Sequence, residues 1–193
     1  MVETSVSLLE RLRDGTDPSS WQRLVVLYTP LIRGWLRRHG LQDTDADDLV
    51  QEVLAVLAQE LPAFGHRGAG AFRSWLRTMT VNRLRNFWRA RQARPAAIGG
   101  NHLDHVLDQL EDPHSDLSRL WNHEHDQHVV RRCLELIEPE FAPSTWQAFR
   151  RVTLDGADVD AVAAGLGLTP NAVFIAKSRV LSRLRQEVRG LVD

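Results

Sequence analysis

The stretch Val159-Asp-Ala-Val-Ala-Ala-Gly-Leu-Gly-Leu-Thr-Pro-Asn-Ala-Val-Phe-Ile-Ala-Lys-Ser178 has the residue spacing of a helix-turn-helix. Ala163 is small enough for a second helix to cross close by, and Gly167 follows where a tight turn needs positive φ. Thr169 and Pro170 then supply a hydroxyl N-cap and a first-turn proline for the next helix. This order predicts a DNA-reading motif in an all-α region; an ordinary αα-hairpin in a core is the alternative.

The helix that begins at Pro170 has an apolar face and a cationic face. At 100° per residue, the apolar arc contains Val173, Val180, Leu181, Leu184 and Val188. The opposite arc has amides, hydroxyls and guanidiniums but no carboxylate, and comprises Asn171, Ile175, Ser178, Arg179, Ser182, Arg185, Gln186 and Arg189. Arginine bonds guanine edges and an exposed isoleucine meets a thymine methyl, so this arc suits a DNA major groove. The alternative is a solvated helix face, although such faces usually mix both charge signs.

Composition limits the class of protein. With 193 residues, 43% hydrophobic and 25% charged, the chain is expected to be globular and large enough for two small cores. A formal net charge of −1 argues against a protein that coats nucleic acid through bulk charge. The lone Cys133 excludes an internal disulfide and is typical of a reducing cytosol. The sequence has no signal-peptide pattern and no apolar run near the ~18 residues of a membrane span, so we expect a soluble cytoplasmic protein.

Helical periodicity recurs along the chain without convincing strand alternation, and it predicts an all-α fold of two small domains. The first domain is expected over residues 1–94 and the second, which contains the helix-turn-helix, over residues 117–193. Residues 95–116 are interpreted as a linker with one helical turn at His102–Gln109, because Pro95–Asn101 is rich in loop formers and the rest is acidic and His-rich.

The third predicted helix, from Asp45 to about Leu61, has one apolar face and one acidic-amide face. The polar face carries Asp48, Gln51 and Glu52. One helix face without histidine offers too few convergent ligands for a metal ion. Two interpretations remain open for it, a solvated surface and a docking surface for a basic partner.

The fourth predicted helix, Phe72 to about Arg91, lies in the most basic part of the chain. Residues 67–94 include arginines but no Asp, Glu or Lys. One arc of the helix brings together Trp75, Thr78, Asn82, Arg85, Asn86 and Arg89. Arginine for phosphates, amides for base edges and an aromatic ring for stacking suit single-stranded or melting DNA. A core position remains the alternative for Trp75.

Two segments carry a resemblance to a known family. Asp45-Ala-Asp-Asp-Leu-Val-Gln-Glu-Val53 and Phe72-Arg-Ser-Trp-Leu-Arg-Thr-Met-Thr-Val-Asn82 resemble the second conserved region of bacterial RNA polymerase sigma factors. With a helix-turn-helix after them, the chain resembles the compact extracytoplasmic-function (ECF) group. The resemblance implies a protein that binds core RNA polymerase, directs it to specific promoters and helps to melt the minus-ten element.

The resemblance also implies roles for particular residues. The core-polymerase-binding residues would be Asp48, Leu49, Gln51 and Glu52. The minus-ten DNA-binding residues would be Phe64, Arg67, Trp75, Asn82, Arg85, Asn86 and Arg89, with the loop from Phe64 to Ala71 capturing a flipped base. The minus-thirty-five DNA-binding residues would be Thr169, Asn171, Ile175, Ser178, Arg179, Ser182, Arg183 and Arg185. Many relatives have Arg-Ser-Arg where this chain has Phe174-Ile175-Ala176, which leaves the promoter sequence open.

The implied partners are the β′ clamp helices and β flap of core RNA polymerase and promoter DNA, and the resemblance permits an anti-sigma factor. The rival interpretation is a conventional helix-turn-helix regulator, which would need neither the acidic helix nor the Trp75–Asn82 arc. An enzyme is not favoured, because the sequence has no glycine-rich phosphate loop and no nucleophile with a plausible base. We therefore assign no catalytic residue, no metal and no cofactor. His123, His125, His128 and Cys133 are interpreted as part of a solvated helix end rather than a metal site.

Overall fold

The computed structural model describes residues 7–15, 18–65, 70–92 and 100–192, and these ranges are helical without any strand. The all-α prediction is therefore confirmed for the described chain. The helices are α1 Leu8–Asp14, α2 Pro18–Arg38, α3 Asp43–Glu60, α4 Ala71–Gln92, α5 Gly100–Glu111, α6 Asp116–Ile137, α7 Pro143–Thr153, α8 Val159–Leu166 and α9 Pro170–Val188. Short 3₁₀ turns, Leu61–Ala63 and Glu138–Glu140, follow α3 and α6.

Two groups of buried apolar side chains hold the helices together. The larger core draws on α1 to α6 and on the inner sides of α7 and α9, with Leu27, Leu57 and Leu76 fully buried at its centre. The smaller cluster fastens α7, α8 and α9 to one another and consists of Ala148, Val162, Ala163, Val173 and Ala176. The C-terminal helices thus have apolar packing of their own in addition to their contact with the larger core.

The stretch that the sequence suggested as a linker contains a twelve-residue helix, α5, rather than a single turn. Leu107 and Leu110 of α5 are buried in the larger core, and the helix packs between α4 and α6. Composition hid this helix because its exposed positions are acidic and His-rich, while a few apolar residues suffice to seat it. The division of the chain into domains ending at residues 94 and 117 stays a prediction.

Helix α6 is more buried than the sequence suggested. His125 and Cys133 are fully buried, so the interpretation of this segment as a solvated helix end was wrong for both. Burial lowers the pKa of His125 and favours the neutral ring. Since a carboxylate only accepts, Nδ1 of His125 donates to Asp126 at 3.0 Å, and Nε2 accepts from the Tyr28 hydroxyl at 3.2 Å. Among the described residues, no group of three or more His, Cys, Asp or Glu side chains is placed to hold a metal ion.

In the described ranges, no single helix is long and apolar enough to cross a membrane. Helices α8 and α9 are long and apolar enough only when they are counted as one segment, and the chain bends by 101° between them.

Candidate functional site

The polar face of α3 is open to solvent and acidic. Asp48, Gln51 and Glu52 are exposed, whereas Leu49 is only 3% exposed and belongs to the larger core. Leu49 therefore anchors the helix in the core. Its side chain is not exposed for the contact with core polymerase that the sequence suggested. Within the described chain Asp48 forms no ion pair, and Glu52 approaches only Arg83, at 3.8 Å. Exposed pairs at that distance contribute little, so both carboxylates are available to an external cation.

The neighbouring acids at the start of α3 are used inside the chain. Three ion pairs hold them: Asp43 with Arg37 at 2.6 Å, Asp45 with Arg91 at 2.9 Å and Asp47 with Arg33 at 2.8 Å. These contacts fix α3 against α2 and α4. They leave Asp48, Gln51 and Glu52 as the exposed acidic-amide face.

Helix α4 presents the predicted polar arc to solvent only in part. Asn82, Asn86 and Arg89 are exposed, and Trp75 is half-buried. Arg85 is 21% exposed and pairs with two carboxylates of α5, Asp108 at 3.4 Å and Glu111. Its guanidinium is thus occupied by the helix that the sequence had placed in a linker. The predicted site residue Arg67 lies outside the described residues.

The other arginines of α4 hold the fold together. Arg77 is 4% exposed and donates to Asn122 of α6 at 3.2 Å, and Arg73 pairs with Asp126 of the same helix. The sequence showed an acid-free arginine helix. The carboxylate that compensates Arg73, Asp126, comes from α6, which is distant in sequence, so the helix is less cationic towards solvent than its composition indicated.

An aromatic cavity lies where α3 ends and α4 begins. The rings of Phe64 and Trp75 are stacked, with centroids 4.6 Å apart and planes 25° apart, and Phe72 meets Trp75 edge-on at 5.8 Å. The cavity beside them measures about 570 Å³ and is lined by Gln59, Glu60, Ala63, Phe64, Gly65, Ala71 and Trp75. A half-exposed aromatic wall of this kind suits stacking by a flat ring.

Sequence reasoning did not single out Gln59 and Glu60 at the end of α3 as part of this wall. Nothing in the local pattern marked them, because they share a cavity with Trp75, which belongs to another helix.

The helix-turn-helix region has the turn and caps that its spacing requires. Gly167 has φ of 64°, and its amide bonds back to the carbonyls of Ala163 and Ala164. The Thr169 hydroxyl accepts from the Ala172 amide at 3.2 Å, with Pro170 in the first turn of α9. Helices α8 and α9 are inclined at 101°, and the first turns of α9 expose Asn171, Phe174 and Ile175.

The outer face of α9 combines free cations, small polar groups and apolar side chains. The exposed members of the predicted set, with the N-cap Thr169, are Asn171, Ile175, Ser178, Arg179, Ser182 and Arg185. Ile175 is 44% exposed and its neighbour Phe174 is 57% exposed. Within the part of the chain that the structure describes, Arg179 and Arg185 form no ion pair. Phe174 was noticed in the sequence only as a departure from the family pattern, and the structure adds it to this face.

Arg183 was assigned to DNA, which stays a prediction, and in this structure its guanidinium is paired inside the chain. Its side chain is 19% exposed and turns inward, where it donates to Glu140 at 2.7 Å and 2.9 Å. A third bond, 2.8 Å long, reaches Glu187 one turn further along α9. Arg183 is therefore a structural residue, because its donors are committed to two carboxylates.

Glu187 is a fully buried carboxylate surrounded by arginines. It pairs with Arg11 of α1 at 3.1 Å, Arg23 of α2 at 3.2 Å and Arg183 of its own helix. Burial alone would raise the pKa of Glu187, but the hydrogen bonds and charges of Arg183 and Arg11 outweigh it and hold the pKa below its ordinary value. The group is thus ionised in the folded chain at neutral pH.

Replacing Glu187 by Gln should destabilise the fold in a pH-dependent way. At pH 7 the free energy of unfolding should fall by about 3–5 kcal/mol, because three arginines lose a buried counter-charge. A depressed folded pKa contributes stability above the unfolded pKa, about 4.3, and this contribution is lost as pH falls through the folded pKa. The free energies of unfolding of the wild-type chain and of Glu187→Gln, measured in urea, should therefore converge below about pH 4. A gap that stays constant from pH 7 to pH 3 contradicts this account.

Comparison with known proteins gives consistent results. Residues 24–94, which include most of α2 and all of α3 and α4, match the family Sigma-70 region 2. The chain is 25% identical over 197 aligned residues to the ECF RNA polymerase sigma-E factor of Escherichia coli (strain K12), covering 96% of this chain and 97% of that protein. The ECF RNA polymerase sigma-E factor of Salmonella typhimurium (strain LT2) matches with the same identity and coverage. The protein of that name from Haemophilus influenzae is 33% identical over 92 residues, 48% of this chain and 47% of that protein.

Proposed function

Because this chain belongs to the extracytoplasmic-function group of RNA polymerase sigma factors, which direct the polymerase to specific promoters, we propose that three of its surfaces divide that work. The acidic-amide face of α3 docks on core polymerase, the arc of α4 with its aromatic cavity opens the minus-ten element, and the outer face of α9 reads the minus-thirty-five element. The match of residues 24–94 to region 2 is the observation that carries this proposal, because it contains two of the three surfaces.

The docking surface is proposed to consist of Asp48, Gln51 and Glu52. These three side chains are exposed on one face of α3, two of them as carboxylates, while the apolar residues behind them fix the helix in the core. A rigid helix that presents an exposed acidic stripe suits a basic partner, and we assign that partner as the β′ clamp helices. Charge complementarity of this kind sets both the association rate and the register of a complex.

The melting surface is proposed to combine stacking with hydrogen bonding. Trp75 and Phe64 provide the aromatic wall, and Asn82 and Asn86 are exposed amides two and three turns further along the helix. Arg89 is exposed at the far end of the same arc, where it is placed to meet a phosphate. An unstacked base of the minus-ten strand would enter the cavity beside Trp75, since stacking on an aromatic ring repays part of the cost of leaving the duplex.

The duplex-reading surface is the exposed face of α9. Arg179 lies one turn beyond Ile175 at the centre of that face, and Arg185 lies further along. We propose that Arg179 contacts a base edge and that Arg185 contacts phosphate. We propose that the chain acts in the cytoplasm, where RNA polymerase works. Regulation by an anti-sigma factor stays a prediction.

Replacing Arg179 by Ala should relax the sequence preference at one position of the minus-thirty-five element. Loss of a bidentate base contact costs about 1–3 kcal/mol at that position and little elsewhere. Arg189→Ala is the matched comparison, because Arg189 is exposed at the end of the same helix and should contact phosphate. Arg189→Ala should weaken binding to all promoter sequences alike. It should also reduce the slope of the logarithm of the binding constant against the logarithm of salt concentration by roughly one unit. Binding of holoenzyme to a set of single-base promoter variants measures both. If Arg179→Ala weakens binding to every promoter variant by the same factor, Arg179 contacts phosphate and not a base.

The proposed function is tested by reconstitution. The purified chain should associate with core RNA polymerase in the absence of DNA, and footprinting of the holoenzyme should show protection at both promoter elements. A conventional helix-turn-helix regulator would bind duplex DNA alone and would not co-purify with core polymerase.

A further inference from the structure

The first turns of α9 expose two large apolar side chains next to each other. Phe174 is 57% exposed and Ile175 is 44% exposed. The other large apolar residues that are exposed in the described chain, Val26, Leu120 and Leu154, lie far apart in sequence. Single exposed apolar residues are ordinary on a protein surface, whereas contiguous ones mark a contact with another molecule. Phe174 and Ile175 therefore need a partner, which we identify below.

The backbone that carries this pair is fixed. Val173 and Ala176, which flank the pair in sequence, are 0% and 5% exposed and pack in the smaller apolar cluster. The Thr169 hydroxyl caps the start of the same helix. Phe174 and Ile175 thus stand outward on a helix that is already held in place. A contact made from such a position loses less conformational entropy than one made by a loop that must first be ordered.

The polar groups around the pair suit duplex DNA as the partner. At about 100° per residue, Asn171 and Ser178 fall between Phe174 and Ile175 around the helix axis, and the exposed Arg179 lies one turn beyond Ile175. The sequence has no Asp or Glu from Pro170 to Gln186. A face that joins apolar groups to cations and lacks carboxylates is complementary to a polyanion that also offers apolar contact points.

The thymine C5 methyl is the apolar group that base pairs present in the major groove. The other groups at the base edges there are hydrogen-bond donors and acceptors. An apolar side chain placed over one of these removes its water and returns no hydrogen bond, which is unfavourable. Asn171, one turn before the pair, adds a second preference, because asparagine bonds adenine through N6 and N7. Both kinds of group favour A·T base pairs.

We propose that Phe174 and Ile175 read thymine methyl groups in the minus-thirty-five element, so that the promoters of this chain carry thymine under the first turns of α9. The inference rests on the proposed function, because it requires α9 to lie in the major groove with its first turns against the base edges. Phe174, which was not among the residues expected to contact DNA, thereby becomes a specificity-determining residue. Its base preference comes from packing, in contrast to the hydrogen bonds of Arg179.

Replacement of thymine by deoxyuridine tests the contact, because deoxyuridine lacks only the C5 methyl and keeps the same donors and acceptors. The probe is a promoter duplex that the reconstituted holoenzyme protects in footprinting. Each thymine of its minus-thirty-five element is replaced in turn, on either strand. Removal of a buried methyl group should weaken binding about fourfold. We expect this loss at the positions under Phe174 and Ile175 and no loss at the other thymines.

A matched pair of double variants links the methyl group to these two side chains. Phe174→Ala with Ile175→Ala should bind the thymine and deoxyuridine probes equally. Both residues are exposed and alanine is the best helix former, so circular dichroism should show unchanged helicity. The control, Leu120→Ala with Leu154→Ala, removes two apolar side chains that are 52% and 55% exposed outside α9, and it should keep the wild-type ratio of affinities. Any change in core association common to both probes cancels in that ratio.

A second probe supplies the methyl group without the thymine. At a position where deoxyuridine weakens binding, the T·A pair is replaced by C·G, with either cytosine or 5-methylcytosine. The methyl group of 5-methylcytosine occupies the place of the thymine methyl in the major groove. Methylation should therefore strengthen binding of the wild-type chain and leave binding of the Phe174→Ala, Ile175→Ala chain unchanged.

Two results overturn the inference directly: equal affinity of the wild-type chain for thymine and deoxyuridine at every position, or a Phe174→Ala, Ile175→Ala chain that keeps the wild-type ratio. If that double variant fails to bind core polymerase in the absence of DNA, the pair contacts protein, and the inference is again wrong. A wild-type holoenzyme that protects no minus-thirty-five element gives a different result. It refutes the proposed function of α9 and the inference together.

Discussion

Core RNA polymerase should fail to bind a chain that carries Asp48→Arg together with Glu52→Arg. The two carboxylates lie one turn apart on the exposed face of α3, and the exchange reverses both charges without touching the buried side of the helix. Removing a desolvated charge pair from an interface costs about 2–5 kcal/mol, so two reversals should cost at least about 4 kcal/mol, or about three orders of magnitude in Kd. Titration of core polymerase with labelled chain measures the affinity.

The fold should survive this exchange. Both positions are exposed, and arginine forms helix at least as well as aspartate or glutamate. Within the described chain, the exchange breaks no ion pair except the 3.8 Å approach of Glu52 to Arg83, which contributes little to stability. The control is Asp14→Arg with Asp155→Arg, which makes the same charge change at two exposed positions away from α3. If the Asp48→Arg, Glu52→Arg chain binds core polymerase with wild-type affinity, the docking surface is not this face of α3.

Patterns that depend on neighbours in sequence predicted the helices well. The 3.6-residue period placed α3, α4 and α9 within a few residues of their observed bounds, because an amphipathic helix records its buried face in its own sequence. The turn at Gly167 and the N-cap at Thr169 followed from local chemistry in the same way. Local signals of this kind need no knowledge of the tertiary structure.

The sequence could not show contacts between distant segments. Arg183 and Arg85 were assigned to DNA because each lies on the polar side of its helix, but carboxylates from other helices neutralise both. Glu140 is 43 residues from Arg183 in sequence, and Glu111 is 26 residues from Arg85. Helical periodicity shows which side of a helix is polar; it does not show which other segment covers that side.

Burial of polar residues was equally invisible in the sequence. The position of Glu187 at the centre of three arginines depends on α1 and α2 as well as on its own helix, so the sequence of α9 alone could not show it. Leu49 was included in the docking face as part of a family motif, although its side chain anchors α3 in the core. A motif fixes the order of residues, and the fold decides which of them a partner can reach.

Promoter opening should be impaired by Asn82→Ala and by Trp75→Ala, while promoter binding through the minus-thirty-five element persists. Stacking of a base on an aromatic ring is worth about 1–3 kcal/mol, so loss of Trp75 should lower the open-complex population about 5- to 150-fold. Asn82 is exposed two turns beyond Trp75 on α4, and its loss removes hydrogen bonds to an unpaired base without disturbing the core. Permanganate reactivity of thymines around the minus-ten element measures the opening in reconstituted holoenzyme.

Two controls separate capture of a base from damage to the fold. Ser74→Ala changes an exposed residue of the same helix outside the arc and should open promoters normally. Trp75 also stacks on Phe64 at 4.6 Å and packs against the larger core, so a thermal melt must show that Trp75→Ala is folded at the assay temperature. Binding of holoenzyme to a single-stranded minus-ten oligonucleotide should weaken by the same factor as opening, because the two residues act on the unpaired strand. Normal opening by a folded Trp75→Ala, Asn82→Ala chain would show that the aromatic cavity and the amide arc of α4 do not take part in melting.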